Sequence, residues 1–366
     1  MKKLLSLGLV ALAGIGLAAG LTSCGEEVPS TYEIALITDI GDIDDKSFNQ
    51  GAWEGLKAYA EEHEISHQYY KPSEQSTTAY VEAIDLAIEN GAKIVVTPGF
   101  LFEEPIYISQ TAHPDVHFIL LDGEPHTADY STYHTGANVQ PILYAEQQAG
   151  YLAGYAAVKD GYRSLGFMGG MAVPAVVRFG MGFAKGVNDA AAELSVQTTL
   201  KYHYTGGFSA TPEVQTKATT WYQAGVEVIF ACGGSLGQSV MAAAETEGKK
   251  VIGVDVDQHK DSDTVITSAM KGLGVSVQIA LDAYYTNQWE GGSTWVLDAS
   301  NDGVGLPTAT ESWGFENFTI AQYDVIYGKI ADGTVEVVVD IASGVDATGI
   351  AAFDLGLTNV TISFEA

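Results

Sequence analysis

The chain has 366 residues, of which 46 are acidic and 17 basic, for a formal charge of −29 at pH 7. A surface this acidic repels nucleic acid and polyphosphates, and no basic cluster, phosphate-cradling glycine loop or dinucleotide fingerprint offsets it. With 2 cysteines a disulfide-built scaffold is excluded, and the length exceeds one compact core, so two domains of roughly 100 to 200 residues are expected.

At the start, Lys2 and Lys3 precede an apolar run from Leu4 to Leu21 that ends in Thr22-Ser23-Cys24. The run is about long enough to cross a bilayer at roughly 18 residues, but its Gly/Ala content and small-residue ending read as a secretory signal. A cysteine directly after those small residues resembles the bacterial lipoprotein signal. Residues 1–23 are then the signal peptide, and Cys24 is the lipidated first residue of a chain held at the cell membrane, facing the extracytoplasmic side. The polar stretch to residue 31 is a tether. Loss of Lys2 and Lys3 moves the charge from −29 to −31, and Cys232 is left without a disulfide partner.

From Tyr32 the chain alternates short β-branched runs with amphipathic stretches. Tyr32 to Thr38 reads as a strand. Ser47 to Glu62 reads as a helix, with Phe48, Ala52, Leu56 and Tyr59 on one face and Ser47 placed to cap it. A helix around Thr78 to Glu89, a strand Lys93 to Thr97, a helix around Leu101 to Ala112 and a strand His117 to Leu121 follow. After a helix Glu146 to Lys159 the same grammar returns, with strands near Ser164 to Met168, Gln197 to His203, Val228 to Ala231, Lys250 to Val254 and Val265 to Ser268. Val275 to Asn287 reads as a further helix, and Lys329 to Val335 as strand-turn-strand. Alternation of this kind predicts parallel sheets flanked by helices.

The strand-end loops of the two halves correspond in order: Asp39 to Asp45 with Gly169 to Pro174, Thr97 to Phe100 with Ala231 to Ser235, and Leu121 to Gly123 with Gly253 to Asp257. Ligands of open parallel sheets collect outside the carboxyl ends of the strands. Two similar lobes facing each other therefore place these loops around one cleft. We expect a first lobe at 32–145 with a return over about 270–320, and a second at 146–268 with part of about 321–366.

Four motifs in register carry a family resemblance: Asp44-Asp45-Lys46-Ser47-Phe48-Asn49-Gln50, Ala149 to Ala157, Phe179 to Gly186, and Val251 to Gln258. From about residue 33 to about 335 the chain resembles the basic membrane protein family, which includes purine nucleoside receptor lipoproteins. The resemblance implies a type I periplasmic-binding-protein fold, an α/β protein of two lobes, each a parallel sheet flanked by helices, with the ligand in the interlobe cleft. It also implies the solute-binding component of an ABC importer, working as a monomer with a membrane permease, and no cofactor. The implied ligand set is Asp45, Phe48, Asn49, Asp122, Phe208, Gly234, Asp255 and Lys271. In it Phe48 and Phe208 stack on a purine base, Asp122 reads the base, Asp255 takes the ribose hydroxyls and Lys271 lies near the sugar. This chain departs from the family pattern at Gly207, where serine is usual, and in Ser209-Ala210-Thr211, which lacks the usual aspartate.

Bland readings stand beside these. Phe48 lies on the apolar helix face and fits plain core; Trp53 fits either the cleft or a neighbouring loop. Asn49 and Ser47 suit helix capping, Asp122 before Gly123 suits a turn, and Lys271 suits a solvated helix start. Enzyme readings fail on spacing. The run Asp39 to Asp45 misses the Asp-x-Asp-x-x-x-Asp-Asp pattern of nucleoside hydrolases because position 38 is threonine, and Asp255 to Asp263 has Lys260 and Ile266 where a calcium loop needs glycine and glutamate. No nucleophile elbow or zinc-binding helix occurs, and the 8 histidines are scattered. A sensory or adhesive lipoprotein of the same fold, or a receptor for a sugar or other polar metabolite, is the alternative to nucleoside import.

Overall fold

A computed structural model describes residues 31–339 and 356–365. The expected signal peptide, the lipidated Cys24 and the tether up to residue 30 lie outside the described residues.

Strands β1 (Ile34–Ile37), β3 (Ile94–Pro98) and β4 (His117–Leu121) form from continuous apolar runs because helices cover both faces of their sheet. In chain order the first half runs β1, α1 (Phe48–Glu62), β2 (His67–Tyr70), α2 (Thr77–Glu89), β3, α3 (Glu103–Ala112), β4, β5 (Val139–Tyr144). The second half runs α4 (Glu146–Asp160), β6 (Ser164–Gly169), α5 (Pro174–Leu194), β7 (Thr198–Tyr204), α6 (Pro212–Gln223), β8 (Val228–Cys232), α7 (Leu236–Glu247), β9 (Lys250–Asp255), β10 (Val265–Lys271). The remainder is α8 (Leu273–Tyr285), β11 (Trp295–Leu297), β12 (Val304–Gly305), α9 (Ile320–Ala331) and β13 (Val360–Phe364).

The first sheet has the order β11-β5-β4-β3-β1-β2 and the second β12-β10-β9-β8-β6-β7-β13. Stripped of their late edge strands, both are doubly wound parallel sheets of one order, in which the second strand lies outside the first and the third, fourth and fifth follow on its other side. The chain crosses between the sheets at Ala145, at Gly272 and through Asp298–Gly303. These crossings are bonded to one another: the Ala145 N–H donates to Leu297 O and the Gly272 N–H to Gly303 O, both at 2.8 Å. Val304–Gly305 pairs antiparallel with Met270 and Lys271, so the chain has rejoined the second sheet by residue 304.

Several elements escaped sequence reasoning for identifiable reasons. Strand β2 is a half-exposed edge of polar and aromatic residues, and β5 contains Pro141, which argues against a sheet-interior strand. The expected strand-turn-strand at Lys329 to Val335 is corrected: helix α9 runs to Ala331. Tyr323, Ile326 and Ile330 bury one helical face there, and a Thr319–Gln322 capping box starts it.

Helices α4 and α5 cross at backbone contact because glycines alternate along both. A Cβ at Gly182 would stand 2.1 Å from Gln147 O, and one at Gly150 2.1 Å from Phe179 O. This crossing sets where the first turn of α4 meets the second turn of α5, beside the cleft. Gly182→Ala should therefore push the helices apart and destabilise the fold by about 1 to 3 kcal/mol. A denaturation midpoint equal to that of the parent would contradict the packing argument.

Candidate functional site

The carboxyl ends of both sheets open onto one cavity of about 500 Å³. Its wall includes Asp39 to Asp42, Asp44 and Asp45 after β1, Gly99 and Phe100 after β3 and Asp122 after β4; from the second sheet come Val173 and Pro174 after β6, Phe208 after β7, Gly233 to Ser235 after β8, and Asp255 at the end of β9. The loops paired by their order in the chain thus meet in space. All eight expected ligand residues, Asp45, Phe48, Asn49, Asp122, Phe208, Gly234, Asp255 and Lys271, line this cavity.

The floor is a buried charge cluster centred on Lys271, the last residue of β10. Its Nζ lies 2.5 Å from Asp122 Oδ2, 3.5 Å from Asp255 Oδ1 and 3.7 Å from Glu146 Oε1. The rings of Phe48, Tyr144 and Phe179 surround the ammonium at 4.4, 5.4 and 5.5 Å from their centroids. Such rings attract a cation that water cannot reach. Arg178 Nε donates to Glu146 Oε2 at 2.5 Å. Three carboxylates therefore share two cations. Two acceptors in the cluster, Asp122 Oδ1 and Glu146 Oε1, receive no hydrogen bond.

The surplus of acid shows in the ionisation of each group. Burial would strip the proton from Lys271, but the charges of Asp122, Asp255 and Glu146 outweigh it and raise its pKa above the ordinary lysine value. Burial also opposes ionisation of Glu146, yet Arg178 and then Lys271 hold its carboxyl below the usual range. Asp122 goes the other way: desolvation, reinforced by Glu146 and only partly countered by Lys271, pushes it up to about 7.

Asp122 and Asp255 are equivalent residues of the two sheets, each at the end of the fourth strand and each at a left-handed φ, +59° and +67°. That region is sparsely used by residues other than glycine, with aspartate among the tolerated exceptions. The local turn read from Asp122-Gly123 is therefore real, and it is also what aims the carboxylate at Lys271. Asp255 Oδ2 in addition accepts from Ser47 Oγ at 2.5 Å, joining α1 to β9.

Ser47 does not cap α1. Asp45 does so instead, accepting from the N–H groups of Ser47, Asn49 and Gln50 at 2.9 to 3.1 Å. Asn49 spends both amide hydrogens on Asp39 Oδ1 and Asp45 Oδ2, and its Oδ1 accepts from the Asp39 N–H. This pair organises the β1–α1 loop and leaves Asn49 one acceptor lone pair. Desolvation pushes neighbouring Asp39 up to about 6 despite its bonds from Gly41 and Asn49.

Phe48 and Phe208 come to the cavity from opposite sheets. Phe208 rests on backbone where no side chain fits: a Cβ at Gly170 would stand 2.4 Å from its ring. Gly234, at φ +51°, lies against the Phe208 carbonyl, which accepts from the Leu236 N–H at 2.9 Å. Trp53 packs against His67 and Tyr69, with ring centroids 5.5 Å away, and is not among the cavity residues. Sequence reasoning missed Glu146, Arg178, Tyr144 and Phe179. The available signal was Glu146, an acid in the first turn of α4 just ahead of the apolar stretch Ala149 to Val158.

A family model described as ABC transporter substrate-binding protein PnrA-like (Bmp) matches residues 33–341. The chain is similar to the ABC transporter nucleoside-binding protein BmpA of Lactococcus lactis subsp. cremoris, with 28% identity covering 90% of this chain and 98% of that one. It is 30% identical to basic membrane protein A1 of Borrelia garinii over 80% of this chain and 83% of that one. Among solved structures, an ABC transporter solute-binding protein from Aeropyrum pernix superposes with a TM-score of 0.72 at 22% identity, covering 83% of this chain and 92% of that one. Another from Conexibacter woesei gives 0.67 at 23% identity, with coverage of 84% and 98%.

Lys271→Met should be severe, because it leaves three buried carboxylates facing Arg178 alone; a loss of about 3 to 5 kcal/mol is expected in urea unfolding. The raised pKa of Asp122 has a definite sign. The folded chain binds that proton more tightly than the unfolded chain, so this residue's contribution to stability falls as pH rises from near 4 to about 7. Asp122→Asn should remove that part of the slope between about pH 4 and 7, and identical pH profiles for the two proteins would contradict the assignment.

Proposed function

The chain belongs to the Bmp family of PnrA-like ABC transporter substrate-binding proteins, and we propose that the solute it presents to its permease is a purine nucleoside. One observation carries this reading: aromatic rings from both sheets, Phe48 and Phe208, line a cavity whose wall holds six aspartates and one lysine, with that lysine already paired. A flat heteroaromatic base gains about 0.5 to 1.5 kcal/mol per ring contact beyond its buried area. The acid excess disfavours a phosphate and favours ligands that donate hydrogen bonds, as purine N–H and ribose hydroxyl groups do. At about 500 Å³ the cavity lies within the usual range for small-molecule sites, roughly 300 to 1,000 Å³. The nucleoside-binding relative in Lactococcus lactis supports the same ligand class.

In this reading Asp122 accepts from the base through its free Oδ1, and Asp255 accepts from the ribose. The lobes are residues 32–145 and 146–268 with their later returns, and the crossings at Ala145, Gly272 and Asp298–Gly303 form the hinge about which they close. The mature chain is a monomer anchored through lipidated Cys24, so the closed cleft is offered to the permease at the membrane surface.

Calorimetric titration of the full chain in detergent with adenosine, guanosine, inosine, cytidine and ribose tests the ligand class. Purine nucleosides should bind with a Kd of about 1 μM or tighter, and Phe208→Ala or Asp255→Ala should weaken them at least about tenfold. Binding of ribose alone, or of no nucleoside, would overturn the proposal.

A further inference from the structure

Lys271 cannot serve its three carboxylates equally. It makes one short bond, to Asp122, while Asp255 Oδ1 at 3.5 Å and Glu146 Oε1 at 3.7 Å stand outside hydrogen-bond range. Glu146 is fully buried, its second oxygen is held by Arg178, and Oε1 has no hydrogen-bond donor. A buried acceptor aimed at an ammonium and left unbonded is a vacant position for that ammonium. A charge-assisted N–H···O bond is about 2.8 Å long, so the ammonium needs to move by only about 1 Å to fill it.

A ligand donor arriving at the free Asp122 Oδ1 would draw on the same carboxylate charge that holds Lys271 at Oδ2, and so weaken the lysine's one short bond. With no second acceptor in reach, a buried ammonium whose partner is weakened would be strongly unfavourable. Glu146 offsets that cost. It is the first residue of α4, directly after the Ala145 crossing, and Lys271 is the last before the Gly272 crossing, so the exchange takes place where the two sheets join.

We propose that Glu146 is a positioning residue of the binding site: the carboxylate that takes over Lys271 when a solute claims Asp122. This rests on the reading of the cavity as a donor-recognising nucleoside site. The exchange is between hydrogen-bond partners only, with no change in the number of charges in the cluster. Groups facing Asp122 that enter the balance are Lys271 from β10, Glu146 from α4, Arg178 from α5, Tyr144 from β5, Asp255 from β9 and Cys232 from β8.

The test is a double-mutant cycle on the full chain, with guanosine and inosine as probes. Glu146→Gln should weaken binding about tenfold, whereas the same change in an Asp122→Asn background should cost less than about twofold, since no contested carboxylate remains. Equal losses in both backgrounds, or no loss in either, would overturn the proposal. A ligand-free arm keeps it separate from the nucleoside reading: ¹³C titration of the Asp122 carboxyl, which should move to lower pH in Glu146→Gln because Lys271 is then shared by fewer acids. If the parent binds neither nucleoside, the ligand class fails and this titration still tests the coupling of Glu146 to the Lys271–Asp122 pair that the relay requires. An unchanged Asp122 midpoint would sink it.

Discussion

One ammonium group holds the centre of this molecule together. Lys271 is buried at the end of β10, and around it stand an acid from the first sheet, one from the second, and one from the helix that follows the first crossing. Removing a charge of this kind from water costs several kcal/mol, so it persists only where geometry and partners are very good. The three rings at 4.4 to 5.5 Å add to the shell around the positive charge, and the cluster's second cation, Arg178, is held by Glu146. Everything that positions those groups, from the glycine-packed α4–α5 crossing to the left-handed turns at Asp122 and Asp255, thereby also positions the cleft.

The internal correspondence of the two halves gives this centre its logic. Two sheets of one strand order, set with their carboxyl ends toward one cavity, bring equivalent residues to the same place, and Asp122 and Asp255 are such a pair. Equivalence of position has not produced equivalence of chemistry. Asp122 is bonded to Lys271 and keeps a free acceptor, while Asp255 is bonded to Ser47 from the opposite half and touches the lysine only at longer range. A site made from duplicated architecture can therefore present two different acceptors to the two ends of an asymmetric solute.

The acidity of the chain has its local counterpart in the cavity wall, where aspartates outnumber bases. Part of that excess is structural. Asp45 is spent as the cap of α1, and Asp39 is tied to Asn49, so these acids hold the β1–α1 loop through its own hydrogen bonds. Walls carrying acceptors, with Phe48 and Phe208 contributed from the two halves, suit the donor-bearing, flat solute proposed above. The family to which the chain belongs is consistent with that division of labour.

Alternating β-branched and amphipathic segments were enough to read the parallel sheets, the two halves and the convergence of paired loops, because burial of a strand or of one helix face is written in local spacing. The same local reading lost β2 and β5, where an exposed edge and Pro141 blur the pattern, and mistook the end of α9. Phe48, Phe208, Asp122, Asp255 and Lys271 were legible as cleft residues through the family motifs. Their partners were not. That Ser47 bonds Asp255 rather than capping its own helix, that Asn49 is spent on Asp39 and Asp45, and that Glu146 and Arg178 complete the cluster were decided only by the tertiary structure. The physical reason is range: spacing along the chain reports which face a residue presents, whereas the pairing of Lys271 with Asp122, 149 residues apart, depends on how two separately wound sheets are brought together.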